Sequence, residues 1–288
     1  MNTFQHDLFI YPRKTVYGSF LNRVLNNSFF IQIKRLLFYP VTQMQLTSDI
    51  TNVVYLNWMV PATSIQHLVP KDVKLLSYSG NVMLTVLTYK HGNFRLAFFS
   101  RFKKIFASPV QSNWRFYIEN TQDFGILQPA VFFIKNCIDG HAYALGSRIV
   151  SSILQTHLPH NFTHICDEKS IITEIQSGCG NAPDLYTEVR VADSWNIPAA
   201  FNAVSSDQNK LIEMICNQDA AVAAQPEAGV YAIGNIELKF QIEEIQPLKI
   251  SVLESAWLKE IIQDAECFAF LMPNVTFITQ KEKIRKIK

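Results

Sequence analysis

The chain has 288 residues, of which 48% are hydrophobic, 12% aromatic and 17% charged. Such a composition is typical of a globular protein with one large core, and it excludes a largely disordered chain. The formal net charge is only +2, and the segments 1–48 and 281–288 each carry five basic groups against one acidic group. Because no clustered basic face with stacking aromatic residues is evident, we do not expect a nucleic-acid partner.

The cysteine content indicates a reducing compartment. The five cysteines form no Cys-x-x-Cys motif, and their odd number leaves at least one outside any disulfide. The N-terminus lacks the charged and then apolar pattern of a signal peptide, and no apolar run reaches the roughly eighteen residues of a membrane span. We therefore expect a cytoplasmic protein.

The first predicted element is a helix over Gly18–Leu37, within an N-terminal helical extension that comprises residues 1–48. Phe29 and Leu36 belong to its apolar stripe, and Lys34 lies on the opposite side. We favour a helix that packs on the body of the protein through this stripe, and membrane contact is not expected. The alternative is an interfacial helix that touches an anionic membrane or a partner protein.

From Asp49 onward the pattern changes to strands. Val53–Val60 is apolar except for Asn57, as expected of a strand covered on both faces, and a Ser-Gly-Asn turn at 79–81 leads into the next strand. Two helices are predicted over Ala142–Thr156 and Lys210–Ala224, and a strand follows the second. Strands joined by turns, with few helices, favour a closed antiparallel sheet in an α+β, mainly β fold.

The clearest strand covers Asn113–Glu119, where polar and apolar side chains alternate. One face is apolar and consists of Trp114, Phe116 and Ile118. The other face is polar and consists of Asn113, Arg115, Tyr117 and Glu119. If the apolar face packs under outer helices, the polar face points into the sheet's interior, where an arginine recognises carboxylates well. The alternative is a structural ion pair between Arg115 and Glu119.

Three motifs in this region carry a resemblance to a known family. The motifs are Asn57-Trp58-x-Val60-Pro61-Ala62, Leu68-Val69-Pro70 and Asn113-x-Arg115-x-Tyr117. Their order resembles the YqjF-like uncharacterised family, which is related in fold to acetoacetate decarboxylase, and the likeness spans roughly residues 50–160. The resemblance implies an acetoacetate decarboxylase-like antiparallel β-barrel over residues 49–280, with a few outer helices and a small-molecule cavity. Residues 281–288 would then form a basic C-terminal tail.

Acetoacetate decarboxylase uses a lysine that attacks a ketone, and a neighbouring cation lowers the pKa of that lysine. When the chain is aligned with the family on the Asn113-x-Arg115-x-Tyr117 motif, Gln111 lies near the expected lysine position. The adjacent Lys103 and Lys104 come several residues earlier, in a predicted loop. Lowering an amine pKa from about 10.4 to about 6 takes roughly 6 kcal/mol, whereas a second cation about 6 Å away in water supplies only about 0.7 kcal/mol. A solvated basic loop is therefore the favoured interpretation.

Other reaction chemistries find little support. His157, His160 and His164 have helical spacing, but Pro159 interrupts the run, so we predict no metal site. The sequence has no dinucleotide-binding glycine motif, phosphate-binding loop or serine nucleophile elbow, and we expect no cofactor.

The sequence therefore predicts a barrel that binds a small carboxylate-bearing organic ligand without a Schiff-base lysine. The predicted ligand-binding residues are Gln111, Asn113, Arg115, Tyr117 and Glu119. One alternative is a lyase of the acetoacetate decarboxylase type that uses Lys103 or Lys104. Another is a membrane-peripheral interaction protein that uses the helix at 18–37. An oligomer is compatible with all three.

Overall fold

A computed structural model describes residues 8–96, 107–167 and 170–287 of the chain. These residues form five α-helices, which are α1 Val16–Leu25, α2 Ser28–Thr42, α3 His141–Val150, α4 Gln208–Cys216 and α5 Ala256–Ile262. They also form twelve β-strands, which are β1 Leu46–Pro61, β2 Ser77–Tyr78, β3 Asn81–Leu96, β4 Val110–Tyr117, β5 Ala130–Ile138, β6 Asn161–Cys166, β7 Ile171–Gln176, β8 Leu185–Val191, β9 Ala220–Gln225, β10 Val230–Lys239, β11 Gln246–Glu254 and β12 Phe268–Lys286. The mainly β composition with a few helices agrees with the prediction.

Seven strands form a ring. They pair in the order β1-β3-β4-β5-β9-β10-β12, and β12 pairs back to β1. All of these pairs are antiparallel except β5 and β9, which are parallel where Ala130–Phe132 lies beside Ala220–Val222. The prediction of an antiparallel sheet therefore holds for all of these pairs except β5 and β9. Between β5 and β9 the chain passes through α3, three further strands and α4, and this long connection permits the parallel pairing that a short hairpin would not.

A second sheet layer covers one side of the ring. β11 joins β12 to β8, and β7 and β6 continue outward from β8 in antiparallel pairs. Trp114 and Phe116 of β4 belong to the core between ring and outer layer, where Trp114 meets Trp257 of α5 edge-on at 5.1 Å between ring centres. Tyr117 belongs to a separate core that contains the residues of the ring interior. The predicted alternation of β4 between two environments is therefore confirmed.

The N-terminal segment forms two helices instead of the single predicted one. The Asn27 side chain accepts a hydrogen bond from the Phe30 amide and starts α2, so the chain changes direction after α1. The face of α2 that was predicted to pack on the protein is therefore exposed, and the predicted polar face is buried. Lys34 is buried, whereas Phe29 and Leu36 are exposed. The predicted stripe was wrong because it assumed one continuous helix across this break.

Three predicted boundaries also differ from the structure. The helix expected over 142–156 ends at Val150. The helix expected over 210–224 ends at Cys216, and the alanine-rich segment that follows is β9, whose small side chains are buried in the ring. The basic tail expected at 281–288 is instead the end of β12 as far as Lys286, which pairs with Val230 of β10.

Within the described part of the chain, no helix has both the length and the hydropathy that crossing a bilayer requires.

Candidate functional site

A cavity of about 320 Å³ lies inside the ring. Six ring strands contribute to its wall, and the end of α2 and the segment after α3 complete it. Most of its lining is apolar, and the main contributors are Ile50, Val53, Leu87, Phe133, Ile153, Leu154, Ile236, Leu238, Val275 and Phe277. Eleven of the lining residues have polar or charged side chains, and four of these lie on the neighbouring strands β3 and β4, namely Tyr89, Gln111, Asn113 and Arg115. Such a cavity suits an amphipathic small molecule.

Strand β4 presents three polar side chains to the cavity because residues two apart share one face of a strand. Gln111 Nε2 donates to Asn113 Oδ1 at 3.0 Å and to Asn136 Oδ1 at 2.9 Å. Asn113 Nδ2 in turn donates to the Tyr89 hydroxyl oxygen at 2.8 Å. Since that oxygen accepts from Asn113, the Tyr89 O–H proton is available to a ligand acceptor in the cavity.

A buried histidine supports this network from behind the cavity wall. His91 Nε2 lies 2.7 Å from Gln111 Oε1, and His91 Nδ1 lies 2.9 Å from Ser48 Oγ. Because the Gln111 amide nitrogen donates to two oxygens, its Oε1 must accept, which assigns the histidine proton to Nε2. Burial lowers the pKa of His91 to about 4, against a smaller opposing effect of the Gln111 hydrogen bond. His91 is therefore neutral at pH 7 and holds Gln111 in position.

Arg115 is the main charged group of the cavity wall. Its side chain is 4% exposed, and Nη2 donates to the Ile215 carbonyl oxygen at 3.1 Å. The guanidinium carbon lies 5.9 Å from the ring centre of Tyr55 and 5.8 Å from that of Tyr117, close enough for cation–π attraction. Arg115 Nε has no hydrogen-bond partner among the described residues. The guanidinium therefore retains donor capacity.

The groups around Arg115 carry no negative charge at neutral pH. Burial raises the pKa of both Tyr55 and Tyr117, and it raises the pKa of the Cys216 thiol to about 12. One carboxylate, Glu282, also lines the cavity, but it accepts hydrogen bonds from Ser151 and from the Ser152 amide, and the charge that acts on it is that of Lys34. In the part of the chain that the structure describes, no ion pair to Arg115 is formed.

The described residues that line the cavity include no lysine. Lys103 and Lys104, the candidates for a Schiff base, lie outside the described residues. The side chain of Lys34 is buried on the inner side of α2, where its Nζ donates to the Arg148 carbonyl oxygen. Burial, followed by the charges of Arg148 and Arg35, lowers the pKa of Lys34 to about 7. Its side chain does not line the cavity.

A second, more polar cleft of about 510 Å³ lies between the ring and the outer layer. Its wall includes Lys135, Asp184 and Glu260. Phe133 and Ile153 line both this cleft and the inner cavity. These two side chains therefore form part of the partition between the two spaces.

The structure brings together three of the five predicted ligand-binding residues, Gln111, Asn113 and Arg115, at the cavity wall. Tyr117 is buried beside Arg115 but does not line the cavity, and its hydroxyl donates to the Ile215 carbonyl at 3.0 Å. The predicted inward position of Glu119 is wrong. β4 ends at Tyr117, and the Glu119 side chain is exposed. The structural ion pair between Arg115 and Glu119 is excluded for the same reason.

Tyr55, Tyr89 and His91 were not predicted from the sequence as site residues. Tyr55 and Tyr89 lie on predicted strands and His91 lies just beyond the predicted end of one, but the role of each depends on which residues it faces on neighbouring strands of the ring. Tyr89 pairs with Gln111 in the β3–β4 register. A prediction that paired these two strands in this register would have found Tyr89, whereas no local pattern points to His91.

Several solved structures share the fold of this chain, and two of them are described as an acetoacetate decarboxylase or an acetoacetate decarboxylase-like enzyme. An acetoacetate decarboxylase-like enzyme from Sphingomonas wittichii RW1 aligns with a TM-score of 0.54 and 9% identity, over 85% of this chain and 94% of that one. The enduracididine biosynthesis enzyme MppR complexed with pyruvate aligns with a TM-score of 0.54 and 8% identity, over 84% and 90%. Acetoacetate decarboxylase from Legionella pneumophila aligns with a TM-score of 0.52 and 12% identity, over 83% and 86%.

Residues 47–212 match DUF2071, a family described as an uncharacterized conserved protein. The match covers more than half of the chain, so the chain belongs to the DUF2071 family. This is the YqjF-like family that the three sequence motifs indicated, and the resemblance to it is confirmed. No curated protein matches the chain.

Proposed function

We propose that the ring acts as a β-barrel that binds a small amphipathic monocarboxylate, with Arg115 as the anchor of the carboxylate group. The observation that carries the proposal is a buried guanidinium at the wall of an apolar cavity, without an anionic partner among the described residues. A buried charge is tolerated in proteins when it is paired. A ligand carboxylate would provide that pair, and a guanidinium can bind it through two parallel hydrogen bonds.

The polar neighbours of Arg115 support the same ligand chemistry. Tyr89 can donate its hydroxyl proton to a carboxylate oxygen, because its own oxygen already accepts from Asn113. Asn113 and Gln111 are held by each other and by His91, so the polar end of the cavity is organised before a ligand arrives. Such preorganisation reduces the entropy lost on binding.

The rest of the cavity sets the size and polarity of the ligand. A volume of about 320 Å³ lies at the small end of the roughly 300–1,000 Å³ that small-molecule sites occupy. The wall beyond Arg115 is formed largely by aliphatic and phenylalanine side chains. A carboxylate with a chain of about eight carbons, or one with a phenyl group, fits both the volume of the cavity and its apolar wall.

Titration calorimetry with saturated carboxylates of four to twelve carbons tests the proposal. We expect binding to be strongest near eight carbons. The neutral analogue octanol lacks the charge, and hydrogen bonds to charged groups contribute about 1.5–3 kcal/mol each, so it should bind at least about tenfold more weakly than octanoate. Equal affinity for octanol and octanoate would remove Arg115 as a carboxylate anchor.

A second candidate function is a lyase of the acetoacetate decarboxylase type, which the likeness in fold favours. It would require Lys103 or Lys104 to reach the cavity. Borohydride reduction in the presence of a β-keto acid, followed by peptide mass mapping, distinguishes the two functions. A reduced adduct on either lysine supports the lyase, and its absence supports a binding protein.

We also propose a division of the chain into two parts and a location for the protein. Residues 1–48 would be an extension on a barrel domain that begins near residue 49, and the protein would act in the cytoplasm.

A further inference from the structure

Helix α2 exposes an apolar stripe. Phe29, Ile33, Leu36 and Leu37 recur at helical spacing and are all exposed, and Leu36 is 80% exposed. Of the fourteen large hydrophobic side chains exposed in the described part of the chain, nine lie within residues 16–44. Scattered exposed hydrophobic residues are normal, but a concentration of this kind marks an interaction surface.

The orientation of α2 is fixed by its polar contacts with the body. On its inner side, Lys34 donates to the Arg148 carbonyl, and Arg35 donates to the Gln225 side chain. Gln43, at the end of the helix, donates to the Glu282 carbonyl of β12 at 3.2 Å. The basic side chains thus point inward and the apolar side chains outward, and rotating the helix would break these contacts.

Helix α1 also exposes apolar side chains, and basic residues lie near them in the sequence. Val16, which is 90% exposed, and Phe20 lie one helical turn apart on α1. Three exposed basic residues flank them, namely Arg13, Lys14 and Arg23. Residues 8–44 include no aspartate or glutamate. The exposed Lys281 and Lys283 of β12 adjoin the end of α2 through the contact of Gln43 with Glu282.

We propose that the outer face of α1 and α2, the lipid-docking face, binds an anionic lipid surface. An apolar stripe with basic residues around it is the pattern of a helix that lies in the plane of a membrane interface. Exposed Tyr17 and Tyr39 suit the boundary between headgroups and acyl chains. A second copy of the chain, placed symmetrically on this face, would bring its basic residues against identical ones, with no acidic residue from 8–44 to offset them.

The lipid-docking face continues into the mouth of the cavity. Val41 and Met44, at the end of α2, line the cavity together with Leu46 at the start of β1. An amphipathic carboxylate partitions into a bilayer and could pass from it along this end of α2 to the cavity. This step alone rests on the proposed function, because docking of the face requires no ligand.

Flotation of the full chain with vesicles tests the docking. The vesicles are phosphatidylcholine alone, and phosphatidylcholine mixed with phosphatidylserine at about 3:1. We expect wild type to float with the mixed vesicles and to dissociate as salt is raised. The double variant Leu36→Glu with Leu37→Glu should lose at least tenfold in binding, whereas Leu127→Glu, at a residue that is 87% exposed on another surface, should bind like wild type.

Two further measurements complete the test. Replacing Arg13, Lys14 and Arg23 by Gln should weaken binding to the mixed vesicles by about fivefold for each residue. Sedimentation velocity without lipid tests whether a second copy covers the face. Failure of wild type to float, or self-association that the Leu36→Glu and Leu37→Glu variant abolishes, would overturn the proposal. The double variant should still bind octanoate in solution, so loss of docking and loss of ligand binding are distinguishable.

Discussion

Replacing Arg115 by methionine should stabilise the free protein or leave its stability unchanged, while it removes ligand binding. The substitution keeps a long side chain in a core position and removes a buried charge that has no anionic partner among the described residues. Exchange of a buried ion pair for apolar side chains of similar volume is neutral or stabilising by about 1–4 kcal/mol, and Arg115 lacks even the partner charge of such a pair among the described residues. If Arg115 had a purely structural role, its replacement would destabilise the protein and leave the affinity for the ligand unchanged.

The size of the effect follows from the contacts of Arg115. The hydrogen bond from Nη2 to the Ile215 carbonyl is lost, at about 1 kcal/mol. The carbonyl keeps the Tyr117 hydroxyl as a donor at 3.0 Å, so it is not left without a partner. We therefore expect the free energy of unfolding to change by between zero and about +3 kcal/mol.

Loss of one member of a buried charge pair weakens binding by about 2–5 kcal/mol, so octanoate affinity should fall at least about thirtyfold.

Denaturant unfolding and calorimetry of the same preparations measure both quantities. Arg190→Met is the matched control, because Arg190 is exposed and pairs with Glu188 at 2.7 Å on the outer layer. That control should change neither stability nor octanoate affinity by a measurable amount. A destabilisation of more than about 2 kcal/mol in Arg115→Met, together with unchanged affinity for octanoate, would refute the reasoning and make Arg115 a structural residue.

Three further predictions concern the network and the ring. Tyr89→Phe removes one donor to the ligand and should weaken octanoate binding by roughly tenfold in calorimetry, whereas an unchanged affinity would exclude Tyr89 from the site. Burial lowers the pKa of His91 to about 4 from 6.5, so the unfolded chain binds its proton more tightly, and about 3 kcal/mol of stability should be lost as pH falls from 6.5 to 4. Denaturant unfolding at several pH values should show a shallower loss in His91→Gln, and equal slopes would contradict the assignment. Gly92→Ala would bring a Cβ within 2.4 Å of the Asp49 carbonyl oxygen and should destabilise by about 2 kcal/mol or more, while Gly146→Ala, with open space on α3, should stabilise by about 0.5–1 kcal/mol. Similar unfolding midpoints for the two alanine variants would show that the Asp49 contact carries no strain.

The orientation of β4 could be predicted because it depends on a local rule. Side chains in a strand alternate between two faces, so Asn113 and Arg115 had to share a face whatever surrounded them. The family could be recognised from short motifs for the same reason, since they lie within single segments of the chain. The error at Glu119 has a local origin as well, because the alternation gives no sign that the strand ends at Tyr117.

The exposure of the apolar side chains of α2 could not be predicted from a stripe of hydrophobic residues. Its outward apolar side chains follow from the break at Asn27 and from the contacts of Lys34 and Arg35 with distant parts of the chain. Local hydrophobic periodicity identifies a helix and its apolar face, but not whether the body of the protein covers that face.

The cavity is a product of the tertiary structure. Tyr89 and Gln111 come together through the pairing of β3 with β4, and Tyr55 of β1, two strands away from β4, lies beside Arg115. The sequence was sufficient to identify an inward-facing arginine on a mainly β fold. That this arginine is buried against an apolar cavity, among neighbours that burial keeps neutral, depends on strand registers between segments far apart in the chain, which no local pattern encodes.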